Sequence, residues 1–246
     1  MCGRYVQVSS IEVLEKRFCA SVEQPERLKM NPNVAPGDLV PVITHEDPGL
    51  IVLQRFGLTP AWATGKQLYI NARAETVLDK PSFRVSIRRK RCIILADAFY
   101  EGSENQKLNK PYLMYLVNKE RPFSFAGIWD EWVHSETGEP VRSFAILTTS
   151  PNRALQTIGH PRSPVILERE QESVWLSSHT PLTEAMSLLR PCRDERMNAY
   201  PVSSQVKNAA LKDLSLLNPT GDRLFPESEY ISKSGLSLRG MGRRER

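Results

Sequence analysis

Apolar residues in this chain gather in short β-branched and aromatic stretches, with helical spacing in only a few places. Residues 39–44 and 50–56 are the clearest strands, and Asp47-Pro48-Gly49 between them has the composition of a turn. Further strands are predicted at 67–71, 91–96, 112–117, 123–128, 143–148 and 164–167. Over 9–19 the pattern is helical: Ile11, Leu14 and Phe18 share one face, and Ser9 and Glu12 have capping-box spacing. Three more helices are predicted at 151–158, 168–178 and 181–190. In the last, Thr180 caps, Pro181 takes the first helical position, and Leu182, Met186 and Leu189 form a stripe suited to a core. The stretch carrying Pro25, Pro32 and Pro36 reads as a loop.

Many strands with a few peripheral helices predict an α+β fold, a single domain built on mainly antiparallel, barrel-like β-sheets. No internal repeat is visible. After Pro226 the chain becomes rich in Ser, Gly and Arg, with little to bury. The expected division is therefore a domain over 1–225 and a basic, flexible tail over 226–246.

Composition narrows the function classes. The 246 residues carry a net charge of +5, and residues 231–246 hold five basic side chains against Glu245. The basic balance is thus largely a property of the tail, and by itself does not argue that the domain binds nucleic acid. No apolar run approaches the roughly 20 residues that span a bilayer, and charged residues appear at once after the start. A cytoplasmic protein is expected. Cys2, Cys19, Cys92 and Cys192 are scattered, with no C-x-x-C pair, which argues against a disulfide framework or zinc site. Cys19 and Cys92 lie in apolar contexts and are expected in the core. His45, His134, His160 and His179 show no ligand spacing, and neither metal nor cofactor is expected.

The chain has no Gly-rich phosphate loop, no G-x-S-x-G elbow and no H-E-x-x-H. Its opening, Met1-Cys2-Gly3-Arg4-Tyr5, carries different chemistry. Removal of Met1 would leave Cys2 with an α-amine and a thiol on adjacent carbons. Together these capture an aldehyde: the amine forms an imine and the thiol closes on it to give a thiazolidine. Both groups have usable nucleophilic fractions near neutral pH. Taken alone, Cys2 reads as a tolerated small residue on a frayed terminus rather than as a nucleophile. Asn71, Arg73, Glu101 and His160 lie at predicted strand ends or in short loops, where scaffolds present chemistry. Singly, each also has an ordinary reading, as a helix cap, a surface ion pair, a solvated carboxylate or a loop histidine.

Taken together, the segments Met1 to Tyr5, Asn33 to Pro36, Phe56 to Trp62, Asn71 to Thr76, Arg91 to Glu101, Phe125 to Trp132, Ala145 to Asn152 and His160 to Leu167 resemble the SRAP family. These are the SOS-response-associated peptidase proteins, also called abasic-site processing proteins. The resemblance runs over essentially 1–210, with Tyr200 to Asn208 a weaker match. It implies a DNA-damage protein that forms a reversible thiazolidine crosslink between Cys2 and the open sugar of an abasic site in single-stranded DNA. It implies that Asn71 orients Cys2 and the sugar, Glu101 shuttles protons, and His160 assists ring opening and bond reversal. Arg4 and Arg73 would contact flanking phosphates, with Arg84 and Arg162 as further DNA contacts and Pro36 and Trp62 as wedges. The run Arg88-Arg89-Lys90-Arg91 is open between a wider phosphate track and a solvated basic face. A monomer is expected, with no membrane partner, nucleoid-associated when bound to DNA. The family often has Trp where this chain has Phe56 and Gly102, and Met where it has Ser163. Two rivals stand beside this reading. One is a cysteine peptidase or amidohydrolase with Cys2 as N-terminal nucleophile, able to remove its own Met1. The other is a non-catalytic single-strand binder.

Overall fold

The computed structural model describes residues 2–65, 67–117 and 120–227. In chain order the elements are β1 (Tyr5–Gln7), α1 (Ile11–Phe18), β2 (Ser21–Val22), β3 (Asn31–Val34), β4 (Leu39–Thr44), β5 (Leu50–Phe56), β6 (Asn71–Arg73), α2 (Ser86–Arg89), β7 (Arg91–Ala96), β8 (Ala98–Glu101), β9 (Tyr112–Leu116), β10 (Phe123–Val133), β11 (Pro140–Thr149), α3 (Arg153–Thr157), β12 (Ser163–Pro164), α4 (Arg169–Leu176), α5 (Leu182–Ser187) and β13 (Met197–Pro201). Single-turn 3₁₀ segments fill several connections.

Antiparallel pairing runs β5–β4–β7–β10–β11. A parallel pairing of β11 with β5, Ser143 opposite Arg55 and Phe144 opposite Phe56, closes these five strands into a barrel. Closure removes the exposed edges an open sheet would leave. A second sheet has the antiparallel order β13-β9-β8-β1-β3. The α+β expectation of antiparallel, barrel-like sheets with peripheral helices holds.

The pleat sorts β7 between two cores. Cys92, Ile94 and Ala96 join a cluster shared with Tyr5, Phe99 and Met114 of the second sheet. Ile93 and Leu95 point the other way, into a cluster with Trp175 of α4 and Ala185 of α5. The second sheet divides in the same period-two manner. Val6, Ala98, Tyr100 and Leu113 turn away from the barrel and are covered by Val202, Val206 and Leu216. Burying an aliphatic or aromatic side chain in these clusters is worth about 1.5–3 kcal/mol.

Several expectations need correction. The α1 cap is Ser10, whose side chain accepts from the Val13 N–H. Ser9 is withdrawn because its hydroxyl and N–H both bond the Asp97 carboxylate. Cys19 is exposed and ends α1 in the left-handed region, φ 52°; Cys92 is buried as expected. Thr180 donates to the Val174 carbonyl, and Pro181 itself takes the cap position of α5. The 67–71 strand reduces to a bridge at Tyr69 followed by β6. The basic run at 88–91 is not uniformly exposed, as either reading of it assumed: Arg88 and Arg89 are exposed, Lys90 and Arg91 are not. Arg91 is buried, donating from Nε to Trp175 O (2.7 Å) and from Nη2 to Ser177 O (2.6 Å), while Lys90 pairs with Asp130 (2.7 Å). The basic tail lies outside the described residues from 228 onward. Among the described residues no helix is long and apolar enough to cross a membrane.

Candidate active site

Pairing registers bring the site together. β1 lies against β8 with Tyr5 opposite Phe99, and the Tyr100 N–H donates to Arg4 O at 3.0 Å. Continuing that antiparallel register carries Cys2 toward Glu101 at the end of β8. On β11, the last residues are paired on both sides. β6 runs parallel with Asn71 opposite Ile146 and Arg73 opposite Thr148, and β12 runs antiparallel with Ser163 opposite Thr149. The Asn71–Arg73 segment and the His160 segment therefore flank one strand end.

His160 enters through α3. Asn152 caps that helix by accepting from the Leu155 N–H, and Gly159 leaves it at φ 73°. The His160 Nδ1 lies 2.8 Å from the Arg162 carbonyl, and its Nε2 lies 3.2 Å from Glu101 Oε2. A carbonyl can only accept, so Nδ1 carries the proton in the neutral ring and Nε2 is left basic, facing Glu101. Arg162 is held as a strut: its guanidinium takes Glu75 in a bidentate pair, both contacts 2.8 Å, and donates to Thr148 O at 2.6 Å. Its carbonyl thereby fixes the tautomer of His160.

Both members of the pair are buried, and burial disfavours their charged forms. It pushes the Glu101 carboxyl up to about 7 and pulls the His160 imidazole down. A carboxyl near neutral pH against a basic ring nitrogen is a pair able to accept and return a proton. Asn71 Nδ2 donates to the Cys2 carbonyl at 3.1 Å, and its Oδ1 is buried with no hydrogen-bond partner among the described residues. The Cys2 thiol is buried too; desolvation first, then the nearby Glu101 charge, raise it well above the ordinary thiol range.

The pair opens on a cleft of about 590 Å³. Arg4, Pro36, Arg73, Glu101, His160 and Arg162 all line it, so six sequence-predicted residues share one cavity. Cys2 and Asn71 do not line it, but they are tied to each other and each adjoins a lining residue, Gly3 and Ile70. Arg4 is half-buried, donates to Lys207 O at 3.0 Å, and is held below its ordinary value by burial. Trp62 and Arg84 do not line the cleft; Trp62 is 56 % exposed, next to Ala63, whose carbonyl accepts from Trp132 Nε1. Phe56 is fully buried and stacked on Phe144, so its place is in the core. Ser163 is also buried.

Sequence reasoning missed Tyr100, Glu104, Lys107 and Leu108, which line the cleft from β8 and the loop after it. Tyr100 was legible in principle, as the neighbour of Glu101. Nothing in sequence separates Lys107 from the other lysines. No group of three or more His, Cys, Asp or Glu side chains suited to a metal occurs among the described residues.

A model of the family described as SOS response associated peptidase (SRAP) matches residues 1–209. Abasic site processing protein YoqW of Bacillus subtilis (strain 168) is 36 % identical over 214 residues, covering 85 % of this chain and 95 % of that protein. Abasic site processing protein HMCES of Gallus gallus is 31 % identical over 198 residues, 70 % of this chain and 56 % of its own length. A crystal structure of a protein from Bacteroides thetaiotaomicron superimposes with a TM-score of 0.80 at 28 % identity, covering 89 % of this chain and 99 % of that one. The chain belongs to the SRAP family.

Proposed function

We propose that this protein processes abasic sites in single-stranded DNA by crosslinking itself to them reversibly through Cys2, as part of a DNA-damage response. The observation that carries the reading is the buried Glu101–His160 pair, 3.2 Å apart, which lines the cleft while Glu101 acts on the Cys2 thiol and Asn71 holds the Cys2 carbonyl. YoqW and HMCES, both abasic site processing proteins by name, support abasic sites as the target.

The reaction follows from the groups present. With Met1 removed, the Cys2 amine adds to the C1′ aldehyde of the open sugar, forming an N–C bond. Glu101, as the acid, protonates the hydroxyl that departs as water. The thiol then adds to the imine carbon; the S–C bond forms and the thiol proton passes to nitrogen, closing the thiazolidine. Reversal runs the same steps backward, with His160 Nε2 exchanging protons with the sugar oxygen. Arg4 and Arg73 hold the flanking phosphates, Arg162, paired with Glu75, contacts the strand from the cleft wall without a free charge, Pro36 and Trp62 wedge the neighbouring bases, and Arg84 extends the path outside the cleft. The domain over 1–225 acts as a monomer, and the basic tail assists encounter.

The peptidase rival needs a thiolate. Burial and the Glu101 charge push the Cys2 thiol the wrong way for that, whereas a neutral thiol adding to an imine is compatible with it. A single-strand binder has no use for a buried acid–base pair. The test is incubation with a single-stranded oligonucleotide carrying one abasic site, followed by denaturing electrophoresis. A retained adduct that Cys2→Ala abolishes supports the reading; cleavage of a peptide substrate without any adduct overturns it.

A further inference from the structure

The wall of the cleft beside Glu101 is made of main chain. Gly102 follows the site carboxylate directly, and a Cβ there would lie 1.8 Å from the Lys107 carbonyl oxygen and 3.0 Å from that of Lys110. The backbone of residues 103–110 occupies the space a side chain at 102 would need.

That loop is fastened at three points. The Lys107 N–H donates to Ser103 O at 2.7 Å, the Glu104 N–H to Gly159 O at 3.0 Å, and Lys207 Nζ to Asn109 Oδ1 at 2.6 Å. The second bond joins the loop to the residue before His160, so loop and acid–base pair are held in one frame. Lys107 lines the cleft, yet sits at φ 48°, a left-handed conformation that L side chains rarely adopt. Glycine would relieve this strain, and strain of this kind clusters where a side chain serves a site. Lys107 has no acidic partner among the described residues, whereas Arg162 in the same cleft is paired with Glu75. An exposed cation lining the cleft, with no acidic partner among the described residues, is available to an anionic ligand.

We propose that Lys107 is a further binding residue for the phosphodiester backbone of single-stranded DNA, presented to the cleft by a loop that only glycine at position 102 accommodates. The inference rests on the single-stranded DNA reading above, but not on the crosslink. One neutralised phosphate on a single strand contributes about −0.7 to the slope of log affinity against log salt.

The experiment is a salt series of binding titrations with a single-stranded oligonucleotide containing a tetrahydrofuran abasic analogue, which has no aldehyde and so reports binding alone. Lys107→Gly removes the charge and relieves the backbone, so its thermal midpoint should not fall while its slope flattens by about 0.7. Lys107→Arg should keep the wild-type slope. Gly102→Ala, which must displace the Lys107 carbonyl, should lose the same contact. Lys29→Gly, an exposed lysine that does not line the cleft, should leave the slope unchanged. A wild-type slope in Lys107→Gly, or an equal loss in Lys29→Gly, overturns the proposal. Adduct yield of the wild type on a true abasic strand is read alongside. Its failure would sink the crosslink, while the titrations would still decide Lys107.

Discussion

The Nε2 of His160 faces Oε2 of Glu101 at 3.2 Å, with both side chains almost wholly buried. Because Nδ1 of the ring is committed to the Arg162 carbonyl, any proton shared by the two residues lies between Nε2 and Oε2. Burial raises Glu101 to about 7 and lowers His160, so a large share of the pair near neutral pH is a carboxylic acid beside a neutral imidazole, a share that grows as pH falls. Such a pair gives up a proton to a departing hydroxyl without first acquiring one from water.

Glu101→Gln should abolish the pH break in the crosslinking rate near 7 and lower the rate by about 10²–10³-fold, since an amide cannot exchange the proton. Rates of adduct formation between pH 5.5 and 8.5 check this. A wild-type profile in the variant would remove Glu101 from the chemistry.

The same substitution has a signature in stability. A carboxyl whose folded pKa is raised binds more protons folded than unfolded between its ordinary value and about 7. Its contribution is therefore greatest at low pH and is lost as pH rises through about 7. His160, depressed by burial, has the opposite sign and is left in place by Glu101→Gln. The melting temperature of Glu101→Gln relative to wild type should thus climb between pH 5 and 8. Melting curves at several pH values would show a flat difference if Glu101 kept its ordinary pKa.

Asn71→Ala should cost little stability, about 1 kcal/mol for one part-buried hydrogen bond, while slowing crosslinking about tenfold through a loosened Cys2 terminus. Denaturant melts and single-turnover crosslinking separate the two effects. Equal losses in Asn71→Ala and in an unrelated substitution of similar stability would mean that the rate follows folding alone.

The strands that carry the barrel were legible because they are long enough to show their composition. β4, β5 and β7 coincide with the predicted limits 39–44, 50–56 and 91–96. β1 was hidden by its three-residue length, and β3 by Pro32. β3 and β13 are the two edges of the second sheet, where a missing donor is tolerated, and they carry Pro32 and Pro201. In the site, Cys2, Asn71, Glu101 and His160 were legible as chemistry and by resemblance. Their meeting was not, since it depends on β6 and β12 flanking the end of β11. The Arg162–Glu75 pair and the loop over Gly102 arise from tertiary contacts that leave no pattern in sequence.

Arg91 illustrates how a basic run misleads. Its donors are spent on carbonyls of Trp175, Ser177 and Ile87. Arg91→Ala should destabilise the fold by about 2–4 kcal/mol, because it orphans buried acceptors, yet leave the salt slope of DNA binding unchanged. Arg4→Ala and Arg73→Ala should each flatten that slope by about 0.7, and Arg84→Ala, outside the cleft, by less. Urea titrations and salt-series binding measure the two axes independently. A flattened slope in Arg91→Ala would restore the run to the DNA path.

Intact mass spectrometry of the purified chain, before and after exposure to single-stranded DNA with one abasic site, tests the crosslink most directly. The expected spectrum shows a chain lacking Met1, then one species heavier by the oligonucleotide less one water. That species should withstand heating and be missing from Cys2→Ala and from DNA without the lesion. A stable adduct on Cys2→Ala, or on a chain that still carries Met1, would contradict Cys2 as the nucleophile.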